Sequence, residues 1–122
     1  MSIDVLLVDE DTDVLEIVQT FLEQEDDLDV TSESDPETAL EMALSDGYDV
    51  VVSDFKMPGL DGLELCTELR KAGQPLPFLL FSAREPDDVQ PAADDAGVTD
   101  FVQKGTGTEQ YSVLAEKIRA AI

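Results

Sequence analysis

The feature that most constrains the fold is a repeated alternation: a segment with helical periodicity follows each of five apolar segments of strand length. The apolar segments are IDVLLV (residues 3 to 8), LDVTS (28 to 32), YDVVVS (48 to 53), PFLLF (77 to 81) and DFVQ (100 to 103). Strands that alternate with helices over short connections indicate an α/β domain with a parallel sheet. Right-handed crossovers then predict a doubly wound sheet.

Boundary signals support four of the helices. Asp11 and Asp13 are typical of a capped first turn, and the apolar stripe predicted for that helix is Val14, Ile17, Val18, Phe21 and Leu22. Asp35 is the predicted cap of the second helix, with Pro36 at its first position. The capping boxes predicted for the third and fifth helices are Asp61 to Glu64 and Thr106 to Glu109.

The fourth helix is predicted to run from about Pro86 to Ala96 and to end at Gly97. The fifth has a predicted buried stripe of its own, made of Tyr111, Leu114, Ala115, Ile118 and Ile122. The single cysteine, Cys66, cannot form an internal disulfide and is expected to be a buried small side chain.

The size and charge of the chain limit its possible partners. A chain of 122 residues, 43% of them hydrophobic, is expected to form one domain over residues 1–122. Its 29 acids and 7 bases give a net charge of −22, which would repel nucleic acid and anionic lipid. Direct binding to nucleic acid or membrane is therefore not expected. So acidic a surface is typical of a high-salt cytoplasm, and a halophilic source is our hypothesis.

No apolar stretch is long enough for a membrane helix, and the first residues, MSIDVLL, lack the basic start and cleavage motif of a signal peptide. A cytoplasmic location is therefore expected. Because no output module follows Ile122, we expect either a stand-alone protein or the front of a longer one.

Polar side chains stand where four of the predicted strands end. Asp9 and Glu10 follow the first strand, Asp54 the third, Ser82 the fourth, and Lys104 the fifth. In doubly wound sheets the functional site lies at the carboxyl ends of the strands. Carboxylates, a hydroxyl and an ammonium at that edge suit magnesium-assisted phosphoryl transfer, because carboxylates bind Mg²⁺ and can also act as nucleophiles.

Four motifs carry a resemblance to a known family. VDED, VVVSDFKMPGLDGLEL, FLLFSA and DFVQKG, in this order and spacing, closely resemble the receiver domain of two-component response regulators, over essentially the whole chain. The resemblance implies a flavodoxin-like (βα)5 fold with a five-stranded parallel sheet in the order 2-1-3-4-5. It also implies a phosphorylation switch, rather than a metabolic enzyme, supplied by a histidine kinase or a phosphotransfer protein.

The resemblance also assigns roles around the phosphoryl acceptor. Asp54 precedes the MPGLDG run and takes the position of the acceptor. Asp9 and Glu10 match the acids that hold Mg²⁺, which Asp54 and the backbone carbonyl of Lys56 complete.

The remaining matches concern the change of state after phosphorylation. Ser82 matches the hydroxyl residue that contacts the phosphoryl group, and Lys104 matches the lysine that pairs with the acceptor. Phe101 matches the aromatic residue whose orientation follows the hydroxyl residue. A surface made of the fourth helix, fifth strand and fifth helix is expected to bind a downstream protein.

Three positions depart from the family pattern. Glu10 stands where aspartate is usual, so its added methylene puts the metal geometry in question. Gly105 replaces the proline that usually follows the lysine in a cis bond, and a cis bond before glycine would cost about 2.5–4 kcal/mol. A trans or more mobile loop is therefore expected after Lys104. Phe101 replaces a frequent tyrosine and has no hydroxyl to offer a partner.

Other functions fit the sequence less well. Asp9 and Asp11 have the D-x-D spacing of haloacid-dehalogenase-like phosphatases, in which Asp9 would be the nucleophile, although Asp13 is unusual for that motif. A calcium loop starting at Asp9 would need glycine at the position of Val14 and glutamate at that of Thr20. A flavodoxin-like electron carrier would need a phosphate-binding loop where this chain has four acids.

Overall fold

The computed structural model describes residues 2–83, 86–105 and 107–122, with only the backbone of residues 86 and 87. Strands and helices alternate as predicted, in the order β1 (Ile3–Val8), α1 (Thr12–Leu22), β2 (Leu28–Glu33), α2 (Pro36–Ser45), β3 (Val50–Ser53), α3 (Gly62–Lys71), β4 (Phe78–Ser82), α4 (Pro86–Ala96), β5 (Asp100–Gln103) and α5 (Glu109–Ala121). The predicted doubly wound α/β fold is confirmed.

The five strands form one parallel sheet in the order β2-β1-β3-β4-β5, as the resemblance implied. β1 and β3 end level with each other, because Val8 pairs with Ser53 and the Asp54 amide donates to the Val8 carbonyl at 2.9 Å. β4 and β5 end level in the same way, with Ser82 opposite Gln103. The register therefore brings residues 9, 54, 82 and 104 to one edge of the sheet.

Each face of the sheet is covered by its own apolar core. α1 and α5 pack on one face against side chains such as Val5, Leu7 and Val52. The other face carries Leu6, Val8 and the remaining helices α2, α3 and α4. Alternate residues of one strand therefore enter different cores, which explains why the central strands are continuously apolar.

Side-chain caps begin the first three helices as predicted. The Asp11 carboxylate accepts from the amides of Asp13 and Val14, Asp35 caps α2, and the capping box of α3 is complete. The start of α5 is different: Thr108 is its cap residue and makes no side-chain cap bond. Thr106, the predicted cap, lies outside the described residues.

The predicted stripe of α1 was partly wrong. Leu15, Val18 and Leu22 are the buried residues of this helix, whereas Ile17 is 49% exposed. The helix presents the 15–18–22 face to the sheet, and Ile17 lies about 200° around the axis from Leu15, on the solvent side. The prediction for α5 holds for Leu114, Ala115 and Ile118, but the predicted stripe member at the end of the chain, Ile122, is exposed.

Two further features of the fold concern the surroundings of Cys66 and the length of the helices. Cys66 is buried as expected; its thiol donates to the Ala96 carbonyl at 3.3 Å, and burial raises its pKa. No helix in the described part of the chain is long and apolar enough to cross a bilayer.

Candidate functional site

Three charged side chains from distant parts of the chain meet at the carboxyl edge of the sheet. The Lys104 ammonium lies 3.0 Å from Asp9 Oδ2 and 3.4 Å from Asp54 Oδ1. Asp9 follows β1, Asp54 follows β3 and Lys104 follows β5. One cation therefore contacts two carboxylates, and the structure brings together three of the residues that the sequence singled out.

Asp9 is held firmly in this group. Among the residues that the structure describes, it is the one charged residue that is buried, and both of its oxygens accept hydrogen bonds. Oδ1 accepts from the Asp11 amide at 3.0 Å, while Oδ2 accepts from the Lys104 ammonium. The Asp11 amide is at the start of α1, so the Asp9 carboxylate also faces the positive end of that helix.

Asp54 is partly buried and has its two oxygens in different environments. Oδ1 accepts from the Phe55 amide at 2.9 Å and lies near Lys104, whereas Oδ2 accepts no hydrogen bond from a described residue. Burial raises the pKa of Asp54 above its usual value; the Lys104 ammonium opposes this rise, and the charge of Asp9 adds to it. Within the described part of the chain, Oδ1 is therefore the more engaged of the two oxygens.

Lys104 is positioned by the strand before it and by an aromatic ring. Its amide donates to the Ser82 carbonyl at 2.7 Å, which continues the pairing of β4 and β5 by one residue. Its ammonium lies 5.5 Å from the centroid of the Phe81 ring, close enough for a cation–π attraction. Phe81 was not recognised from the sequence, although an aromatic residue directly before Ser82 was a visible signal.

Gly62 allows α3 to approach the backbone of the acceptor loop. A Cβ at this position would collide with the Asp54 carbonyl oxygen and come within 2.9 Å of Leu80 Cδ2. The Gly62 amide donates to the Phe55 carbonyl at 2.8 Å. The loop after Asp54 is thus hydrogen-bonded to the first turn of α3. The close approach of the two backbones explains why a glycine stands directly after the Asp61 cap.

The other predicted metal ligands are more exposed. Glu10 and Lys56 are both solvent-exposed, and the Lys56 ammonium lies 5.9 Å from the centroid of the Phe55 ring. In the described part of the chain no three histidine, cysteine or acidic side chains are grouped closely enough to hold a metal by themselves. The convergent pair is Asp9 and Asp54, two hard oxygen donors of the kind that Mg²⁺ takes together with water.

Ser82 and Phe101 lie on adjacent strands beside the charged group. Ser82 is buried at the end of β4. Phe101 pairs in register with Leu80 and is half-buried against the core beneath α4.

The loop after Lys104 is bonded by a helix side chain that was not recognised from the sequence. The peptide bond between Lys104 and Gly105 is trans, as expected. The Gln110 carboxamide bonds the backbone of Gly105 and Gly107. A glutamine in the first turn of a helix, just after two glycines, was the available signal.

Comparison with known proteins gives one consistent result. The family model for the response regulator receiver domain matches residues 5–116. The response regulator MprA of Mycobacterium ulcerans (strain Agy99) is 38% identical over 122 residues, which are 100% of this chain and 51% of that protein. The chain thus spans about half the length of the curated relatives it matches.

Solved structures agree with the sequence relatives. The receiver domain of the Francisella response regulator 1452 superimposes with a TM-score of 0.88 at 27% identity, covering 98% of this chain and 96% of that one. The response regulator TrrA from Thermotoga maritima, solved in complex with Mg(2+)-BeF, gives a TM-score of 0.85 at 26% identity over 100% of both chains. This chain belongs to the response regulator receiver domain family.

Proposed function

We propose that residues 1–122 act as one receiver domain that takes a phosphoryl group onto Asp54 from a histidine kinase or a phosphotransfer protein. The observation that carries the proposal is the Lys104 ammonium, which lies 3.0 Å from Asp9 and 3.4 Å from Asp54 at the sheet edge. A nucleophilic carboxylate, a second acid and a cation are the groups that phosphoryl transfer requires.

Asp54 Oδ2 is the attacking oxygen in this proposal, because Oδ1 is engaged by the Phe55 amide and lies beside Lys104. A bond forms between Oδ2 and phosphorus while the P–N bond to the donor histidine breaks. The electron pair of the broken bond stays on the imidazole, which takes a proton from water. Lys104 favours the ionised carboxylate against the effect of burial, and it is near enough to neutralise charge on the transferred group.

The residues present fit a magnesium ion. Asp9 and Asp54 already contact a common cation, and their oxygens are hard ligands. We propose that these two carboxylates hold Mg²⁺ with the Lys56 carbonyl, while Glu10, which is exposed, ligates directly or through water. When bound, the ion would neutralise negative charge that develops on the phosphoryl oxygens.

Ser82 and Phe101 form the proposed switch. Ser82 is buried at the end of β4, one strand away from Asp54, and the phosphoryl group is expected to draw its hydroxyl inward. Phe101 would then reorient and change the surface formed by α4, β5 and α5. That surface is the proposed contact for a downstream protein, and the net charge of −22 argues against direct nucleic acid or membrane binding.

The proposed activity is that of a signalling switch in the cytoplasm, not of a metabolic enzyme. The domain would catalyse its own phosphorylation and slow dephosphorylation. The alternative, a phosphatase with Asp9 as nucleophile, has less support, because both Asp9 oxygens accept hydrogen bonds. The Asp54 side chain is also more exposed than that of Asp9, 17% against 6%.

Incubation with a small phosphodonor and Mg²⁺, followed by intact mass measurement, tests the proposal. Wild type should gain one phosphoryl mass, and Asp54→Asn should gain none. Phosphorylation of Asp54→Asn that disappears in Asp9→Asn would instead favour the phosphatase. Omission of Mg²⁺ is the matched control for the metal requirement.

A further inference from the structure

Glycine stands at two of the described positions between Lys104 and α5. These are Gly105 and Gly107, and Gly107 has a φ of 90°. Glycine loses more conformational freedom on folding than any other residue. The backbone directly after Lys104 therefore needs an external constraint if the ammonium is to stay between two carboxylates.

Gln110 supplies such a constraint through one side chain. Its Oε1 accepts from the Gly105 amide at 3.1 Å. Its Nε2 donates to the Gly105 carbonyl at 3.0 Å and to the Gly107 carbonyl at 2.8 Å. A single carboxamide thus satisfies three backbone groups, including both polar groups of the residue that follows Lys104.

The base of this constraint is rigid. Gln110 lies in the first turn of α5, whose residues Leu114, Ala115 and Ile118 are buried against the sheet. The Lys104 amide is fixed from the other side by the Ser82 carbonyl. Lys104 is therefore held between the end of β5 and a helix that packs on the same sheet.

We propose that Gln110 is a positioning residue for Lys104: its carboxamide orders the glycine loop so that the ammonium stays beside Asp9 and Asp54. This inference rests on the proposed phosphoryl transfer for its effect on rate, and its structural part can be measured without it. The Gln110 carboxamide also links the position of α5 to the charged group by a route that does not involve the side chains of Ser82 and Phe101.

The rate test compares Gln110→Ala with Ser112→Ala, an exposed change in the same helical turn. Gln110→Ala should slow phosphorylation by a small phosphodonor by about 3- to 10-fold, the factor expected from about one net hydrogen bond. Ser112→Ala should leave the rate unchanged. Equal rates for Gln110→Ala and wild type would overturn the proposal.

Two double variants separate positioning from a general loss of stability. In a Lys104→Met background, Gln110→Ala should cause no further slowing, since the ammonium that it positions is gone. Gly105→Ala should restore part of the rate to Gln110→Ala, because a Cβ at residue 105 meets no atom within 4 Å and alanine stiffens the loop. The positioning role is contradicted if Gln110→Ala and Lys104→Met slow phosphorylation independently, so that their factors multiply, and if Gly105→Ala restores none of the rate.

A stability measurement keeps this inference separate from the proposed function. If Gln110 positions Lys104, Gln110→Ala should lower the urea midpoint more in wild type than in the Lys104→Met background. Equal shifts in the two backgrounds would overturn the inference. A wild-type protein that gains no phosphoryl mass would instead overturn the proposed function, and the urea cycle would still decide the role of Gln110.

Discussion

Replacing Lys104 by methionine should destabilise the fold far more than the loss of an ordinary surface charge. The Lys104 side chain is 21% exposed, and its partners Asp9 and Asp54 are 6% and 17% exposed. Methionine keeps a long apolar stem against Phe81 and removes the charge. Two carboxylates would then remain close together without a cation, in a poorly hydrated site.

The magnitude follows from this burial. Removing one partner of a buried ion pair costs about 3–5 kcal/mol, whereas exposed pairs contribute about 0–1 kcal/mol. Since Lys104 is one-fifth exposed, we expect a loss of about 2–4 kcal/mol in the free energy of unfolding at pH 7. The deficit should shrink as the pH falls, because protonation of Asp54 removes one of the two unpaired charges.

Lys117→Met is the matched control, measured alongside by urea unfolding. Lys117 pairs with Asp100 at 3.1 Å, but the two side chains are 43% and 41% exposed. Both variants change the net charge equally, so their difference reports the environment of the lysine. Equal losses in the two variants, or a Lys104→Met deficit that is independent of pH, would refute the account of a cation shared by two partly buried carboxylates.

Three further results are expected. Asp54→Asn should raise the free energy of unfolding at pH 7, because the raised pKa of Asp54 means that its ionised form is disfavoured in the fold. The gain should shrink as the pH falls and vanish below 3.8, where the wild-type carboxyl is protonated in both the folded and the unfolded state, so a gain that persists at low pH would contradict this reasoning. Gly62→Ala should cost about 1–3 kcal/mol through overpacking against the Asp54 carbonyl, while Gly47→Ala, with no atom within 4 Å, should be tolerated in the same urea assay. The unfolding temperature should rise from low to molar KCl if the −22 charge reflects a halophilic source, and a flat or falling temperature would exclude that hypothesis.

The sequence predicted most of the fold because its local and periodic signals agree. The caps at Asp11, Asp35 and Asp61 are local, and they begin the helices where expected. The stripe of α1 was harder to predict, since six apolar residues within nine positions can fill more than one face. Packing against β1 and β2 selects the face of Leu15 and leaves Ile17 in solvent.

The charged group was only partly predictable. Strand-end positions and the family resemblance identify Asp9, Asp54 and Lys104 without their geometry. The contact between Lys104 and Asp9 joins residues 95 positions apart, and the unequal engagement of the Asp54 oxygens depends on the Phe55 amide. The role of Gln110 depends on how a glycine loop closes onto α5, which no local pattern specifies.

Locating the phosphoryl group on the chain tests the central claim most directly. Borohydride reduces an aspartyl phosphate to homoserine, which marks the modified residue covalently. No lysine or arginine precedes Lys56, so one tryptic peptide carries both Asp9 and Asp54, and its fragment ions distinguish them. After treatment with a phosphodonor and Mg²⁺, homoserine should stand in place of Asp54; homoserine in place of Asp9, or no conversion at all, would contradict the account.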